Sequence, residues 1–444
     1  MRFTTFSILA GLLLPGLAIA QLSGTVGPST STAHKTATKI CNVLNYGAIA
    51  SKTSDLGPPL ASAWAACKSG GQVYIPPGDY GMSTWVLLKS GTAVSINLDG
   101  IIYRTGTAAG TMIFIEHTTD FEMYSSTSKG AVQGYGYVFH KAGAYGPRIL
   151  RLYDVTNFSV HDLALVDSPA FHFSIDTCSN GEVYNMIIRG GNEGGLDGID
   201  VWSTNIHIHD VEVTNKDECV TVKSPSKNIL IENVFCNWSG GCAIGSLAAG
   251  TDISDIEYNH VYTQNSNQML MIKSNGGSGT LKNVIFQNFM GHSNAHAIDL
   301  DSAWSSMSTV AGNGVGYSNI TFDSWHGTVT NGANKPPVQV FCPAAVPCTG
   351  ITISNNFMWT EAGSKVLQKC SNAYGSGACL SSGASHTSYA TVTKTITSVA
   401  SYAITTMPGE ITAGLGISTS IAIPAVPTTF FPGAKPAKAL LGAS

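Results

Sequence analysis

Asp197, Asp217 and Glu218 are acids set among strand-forming residues: Asp197 precedes Gly198-Ile199-Asp200-Val201, and Asp217-Glu218 precedes Cys219-Val220-Thr221-Val222. Only 11% of the chain is charged, and a desolvated carboxylate is costly unless it is paired, so acids in this setting need a use. Carboxyl groups held close together raise each other's proton affinity, which keeps one protonated beside an ionised partner. A neutral acid next to a carboxylate is the pair that cleaves a glycosidic bond. Asp176 lies 21 residues before Asp197, and Asp197 lies 20 before Asp217. If each interval is one coil of a solenoid, the three stack in a column at about 4.8 Å. Glu218 joins them only through a bend, because neighbours on a regular strand face opposite ways. Such spacings leave room for the water of an inverting mechanism. Asp200, at alternate parity to Ile199 and Val201, reads as structural.

Other chemistries fit these residues less well. Lys216 and Lys223 flank the cluster, and the alternating acid loop with a closing Glu that calcium needs is missing. His207 and His209 have the parity to share a face but lack Cys or Glu at ligand spacing, so they read as surface histidines. A Gly-x-Ser-x-Gly elbow is absent. Neither a metal nor a cofactor is expected.

A short phrase supplies the elements that would position the acids: an apolar residue, any residue, Asn or Asp, and another apolar residue. It occurs at Val160-His161-Asp162-Leu163, Val183-Tyr184-Asn185-Met186, Ile208-His209-Asp210-Val211 and Ile231-Glu232-Asn233-Val234, with steps of 23, 25 and 23 residues. Looser copies close at Val261, Phe289, Trp325 and Phe357. This period predicts an all-β fold, a right-handed parallel β-helix in which each coil buries its apolar face against the next. The segment from Pro58 to Cys67 puts Leu60, Trp64 and Cys67 at helical spacing and predicts a short helix capping the first coil. From about residue 381 the chain is rich in Ser, Thr, Ala and Pro, and is expected to run extended along the solenoid, open to O-glycosylation.

Arg2 and the apolar run from Phe6 to Ala20 read as a secretory signal peptide over residues 1–20, followed by one catalytic domain over 21–444. That run is too short to span a membrane. Ten cysteines in an exported chain favour disulfides, coupled by proximity as Cys41 with Cys67, Cys219 with Cys236, Cys342 with Cys348 and Cys370 with Cys379. Cys178 and Cys242 remain as buried thiols or a fifth bridge. Asn157, Asn237 and Asn319 head sequons and are expected to be glycosylated. A net charge of −4 without a basic stripe excludes nucleic acid and anionic membrane as natural partners. A polar polymer remains as partner, acted on by a secreted, extracellular monomer.

These residues resemble the family 28 glycoside hydrolases, pectin-degrading enzymes on a right-handed parallel β-helix. The family's Asn-Thr-Asp is echoed by Gly195-Leu196-Asp197, its Asp-Asp-Cys by Asp217-Glu218-Cys219, and its Arg-Ile-Lys by Met271-Ile272-Lys273. Its Gly-His-Gly block falls on Ser239-Gly240-Gly241, ahead of Ile244-Gly245-Ser246. Gly240 thus replaces a histidine, Met271 an arginine and Glu218 the second aspartate, a pattern similar to the rhamnogalacturonan hydrolase branch. Loss of the arginine fork implies a neutral sugar on the leaving-group side. The resemblance implies endo-hydrolysis, with inversion and no cofactor, of the α-1,2 bond between galacturonate and rhamnose in rhamnogalacturonan I. It implies Asp217 as general acid, Asp197 and Glu218 on the water, and Lys273 on a galacturonate carboxylate. Asp176 joins the substrate-binding set only through the column. His292 or His296 could replace the missing histidine, with His292 the first choice, and Trp202, Trp238 and Trp304 could be sugar platforms. A polygalacturonase, a lyase on the same solenoid and a non-catalytic binding solenoid are the alternatives.

Overall fold

A computed structural model describes residues 22–383, 385–402 and 405–443; the expected signal peptide lies outside the described residues. Among the described residues, twenty-four strands hydrogen-bond into one continuous system, coiled as a right-handed parallel β-helix of about 11 turns with little helix. Among the described strands the antiparallel exception is Val392–Ile396, which lies against Val366–Ser371.

The recurring phrase is a corner. Asp162, Asn185, Asp210 and Asn233 have φ of 56°, 48°, 52° and 52°, the left-handed region that short polar side chains tolerate best after glycine. The apolar residue after each corner turns into the core: Leu163 pairs with Met186, Met186 with Val211, then Val234, Val261, Phe289 and Trp325 follow in register. The last copy slips by one residue, since Trp325 lies opposite Asn356, and Phe357 pairs with His326. A second corner runs through Asn157, Asn180, Asn205 and Asn228, with φ of 54°, 55°, 57° and 56°. Here Asn205 Nδ2 donates to Asn180 Oδ1 at 2.8 Å, and Asn180 Nδ2 to Asn157 Oδ1 at 2.9 Å, which satisfies amides packed coil on coil.

Between the corners, Leu152, Ile175, Val201, Val222, Ile244, Ile272, Leu300 and Val340 stack in one inward column. All are buried, and each such side chain contributes about 1.5–3 kcal/mol relative to exposure. The expected cap is the helix Gly57–Cys67, with Leu60, Trp64 and Cys67 buried and Cys67 bonded to Cys41. A further helix, Thr32–Thr38, buries Lys35 with its Nζ 3.5 Å from Asp120 and 3.8 Å from Glu122. Its Thr and Ala sequence has no apolar stripe to announce it. Cys219–Cys236, Cys342–Cys348 and Cys370–Cys379 are bonded, while Cys178 and Cys242 are buried thiols.

The C-terminal segment runs back along the outside of the coils. Tyr402 stacks on His326, Leu415 O accepts from Asn192 N at 2.8 Å, Ile421 O accepts from Gln133 Nε2 at 2.7 Å, and Leu441 N donates to Asp162 at 2.8 Å. It covers Asn237, which is fully buried with Nδ2 donating to Gly409 O at 2.9 Å. The glycan expected on Asn237 therefore has no room in the folded chain. Asn319 is exposed, and Asn157 is half-buried.

Replacing Asn205 by Ala puts a Cβ-bearing residue at φ 57° and deletes its bonds to Asn180 and to Ser23 N. A loss of about 1–3 kcal/mol is expected, read as a lower melting temperature. Asn205→Gly should lose less, because a left-handed φ suits glycine; equal losses would show that conformation is not what this corner asks of Asn.

Candidate active site

Asp197 sits just before the strand Ile199–Thr214, at the end of a loop braced from outside by the returning C-terminal segment through Asn192. His172, fully buried, donates from Nδ1 to the carbonyls of Leu196 and Asp197, at 3.2 and 3.1 Å, while its Nε2 accepts from Ser168 N. Burial lowers its pKa to about 4, so it is a neutral clamp rather than a charge. Asn215 Nδ2 ties Leu196 O to Glu218 O at 2.8 and 2.9 Å. Two adjacent coils are thereby locked at the level where the acids emerge.

The expected bend is present. Lys216 has φ 76°, and the register of the short strand Glu218–Val222 shifts between Glu218 and Thr221. Asp217 and Glu218 consequently both line one cavity of about 410 Å³, shared with Gln268, Met271, Lys273, His296 and Trp304 among others. Asp197 is buried beside them, and one oxygen from each of Asp197, Asp217 and Glu218 lies within 4.8 Å of the other two. Gly195 N and Glu218 N donate to the Asp217 carboxylate. Gly240 N donates to Asp217 O at 2.6 Å, and a Cβ on Gly240 would stand 2.9 Å from the Asp217 carbonyl carbon. A side chain at 240 would push on the bend that presents the acids, which is a local reason for glycine there.

Two lysines balance the acids. Lys273 ion-pairs with Glu218. Lys223 Nζ lies 3.6 Å from Asp197 and 3.3 Å from Asp200. Burial, then the charge of Asp217, push Asp197 above the usual carboxylate range, with Lys223 opposing. Burial, then Asp197, push the fully buried Asp200 well above it. Asp200 is thus electrically part of the site, a role its parity did not suggest. Asp299, one rung from Met271 in register, is raised to about 7 by burial and then by Asp301.

Three expectations are corrected, one by the register and two by the returning C-terminal segment. Phe173 pairs with Ile199, which sets Asp176 opposite Trp202 and not Asp197; it ion-pairs with Arg151 instead of joining the column. Equal sequence intervals misled because the loop before Asp197 lengthens that coil, and Glu218 is the residue that stands level with Asp197. His292 lies opposite Gln264 and holds Glu410 of the C-terminal segment at 3.2 Å, away from the cavity lining. Of the two candidate histidines, His296 faces the cavity, its Nδ1 3.0 Å from Pro336 O. Trp238 Nε1 donates to Ile411 O under the returning segment, while Trp304 lines the cavity. Tyr145, unmarked by any motif, borders the acids: its hydroxyl donates to Gly194 O at 2.8 Å.

The model of glycosyl hydrolases family 28 matches residues 71–380. A probable rhamnogalacturonase B of Aspergillus fumigatus is 63% identical over 99% of this chain and 85% of its own length. Rhamnogalacturonase A of Aspergillus aculeatus is 62% identical over 97% of this chain and 98% of its own. Among solved structures, endo-xylogalacturonan hydrolase from Aspergillus tubingensis aligns over 73% of this chain and 94% of that one, with a TM-score of 0.63 and 22% identity, a likeness of fold. A parallel β-helix, a family model over most of the chain and near full-length relatives converge: the chain belongs to family 28 of the glycosyl hydrolases.

Proposed function

We propose that this glycoside hydrolase cleaves within rhamnogalacturonan I, hydrolysing the α-1,2 bond from galacturonate to rhamnose outside the cell. The observation that carries this reading is the pairing of a three-acid centre with an apolar wall: Met271 lines the cavity where a polygalacturonase carries the arginine of its carboxylate fork. A leaving sugar without a carboxylate suits that wall. Relatives over 60% identical that bear the name rhamnogalacturonase support the substrate, and four disulfides support an oxidising, extracellular setting.

In this reading Asp217, oriented by two backbone N–H groups, protonates the departing rhamnose oxygen. Asp197 and Glu218 hold and deprotonate the water. Lys273 ion-pairs with Glu218 and offers its remaining donors to a galacturonate carboxylate. The acids' nearest oxygens, within 4.8 Å, stand closer than the usual inverting separation of about 6.5–9.5 Å. Inversion is therefore proposed on the family resemblance, with the third acid giving water a second partner.

The test is digestion of de-esterified rhamnogalacturonan and of homogalacturonan with chelator present, followed by proton NMR of the fresh ends. Saturated galacturonate ends from the first substrate, released as the β anomer, are expected. Cleavage of homogalacturonan alone would make the chain a polygalacturonase, unsaturated ends would make it a lyase, and the α anomer would mean retention. Asp217→Asn, Asp197→Asn and Glu218→Gln should each lower kcat about 100-fold or more without moving the melting temperature; near-normal turnover in Asp217→Asn would reassign the acid.

Asp197 must be ionised to act as base, so its raised pKa sets the acidic limb of the kcat/KM profile above ordinary Asp, with activity lost as pH falls through it. The Lys223 charge opposes that rise. Lys223→Met should accordingly move the acidic limb to higher pH, and an unmoved limb would exclude Asp197 as its origin.

A further inference from the structure

We propose that Glu182, His207 and His209 form a binding site for a borderline divalent cation of the zinc type, on a face of the coil that the hydrolytic centre does not use. Glu182 and His207 are register partners on adjacent coils, and His209 follows two positions on, on the same outward face. One ligand atom from each lies within 4.8 Å of the other two, and the imidazole centroids are 4.2 Å apart. The Asn205 corner separates this run from the strand segment carrying Asp200, so the cluster and the catalytic acids occupy different sides of the coil.

The supporting contacts are those of a ligand site. Asp210 accepts from His209 Nδ1 at 2.8 Å, which leaves Nε2 directed at Glu182, 3.3 Å away. A carboxylate on the far nitrogen fixes the tautomer and orientation of a ligating imidazole and raises its basicity. His209 is fully buried and stacked on Tyr184, which holds the ring still. Glu232, 2.9 Å from His207 Nε2, can supply a fourth ligand or orient the third. Lys438, on the returning C-terminal segment, ion-pairs with Glu182 over the Tyr184 ring and is the group a cation would displace. Two imidazoles with one carboxylate and an open position suit zinc and its neighbours, whereas calcium and magnesium prefer oxygen throughout. A bound ion would cross-link two coils and, through the bond from Ala437 N to Asp210 at 2.8 Å, stiffen the closing strap.

The experiment titrates the full-length protein, stripped by chelator and dialysed into mildly alkaline buffer, with zinc chloride by calorimetry. One equivalent is expected to bind and to raise the melting temperature, while release of reducing ends is unchanged. His207→Gln should weaken binding about 10-fold or more and keep full hydrolytic activity, its melting temperature without zinc reporting that it folds. Asp217→Asn should bind zinc normally. The proposal is overturned if the unsubstituted protein takes up no zinc, if His207→Gln binds it as well, or if Asp217→Asn is the variant that loses it.

Discussion

The hydrogen-bonded register between successive coils is the constraint on which everything else rests. Parallel strands must align at about 4.8 Å, so outward side chains acquire most of their partners from the coils above and below. The register seats Ile199 over Phe173 and under Val220, and this one alignment lifts Glu218 level with Asp197 while leaving Asp176 beside Arg151. Coil length is adjusted in loops, corners and a few bulges, while the inward column from Leu152 to Val340 stays in register.

The cost of gathering acids on such a surface is met locally. Asp197, Asp217, Glu218 and buried Asp200 would repel strongly by themselves, and Lys223 and Lys273 are placed among them. The neutral His172 and the Asn215 amide hold the two backbones that carry the acids without adding charge. This division takes charge from the lysines and position from uncharged groups, and it holds the raised Asp197 carboxyl beside the hydrogen-bonded Asp217.

The three departures from the family pattern have separate physical readings. Gly240 clears the approach of the next coil to the Asp217-Glu218 bend. Met271 makes the adjoining wall apolar. Glu218, one methylene longer than aspartate, reaches Lys273 two coils further along. On the proposed reading, the three together keep the hydrolytic acids and give up the carboxylate fork.

Local sequence determined the solenoid, its left-handed corners, the capping helix Gly57–Cys67 and the acids Asp197, Asp217 and Glu218, because all of these rest on short-range rules: alternation, the tolerance of Asn and Asp for positive φ, and helical spacing. Tertiary structure alone decided what depends on how many residues each coil consumes. Asp176 left the site and Asp200 entered it; Asn237 vanished beneath residues more than 170 positions away; His292 was claimed by Glu410, leaving His296 at the cleft. His207 and His209, which read as surface residues without an acid at ligand spacing, gained Glu182 and Glu232 from the neighbouring coils. Spacing along the chain measures distance only where coil length is constant, and here loops vary that length wherever the site is built.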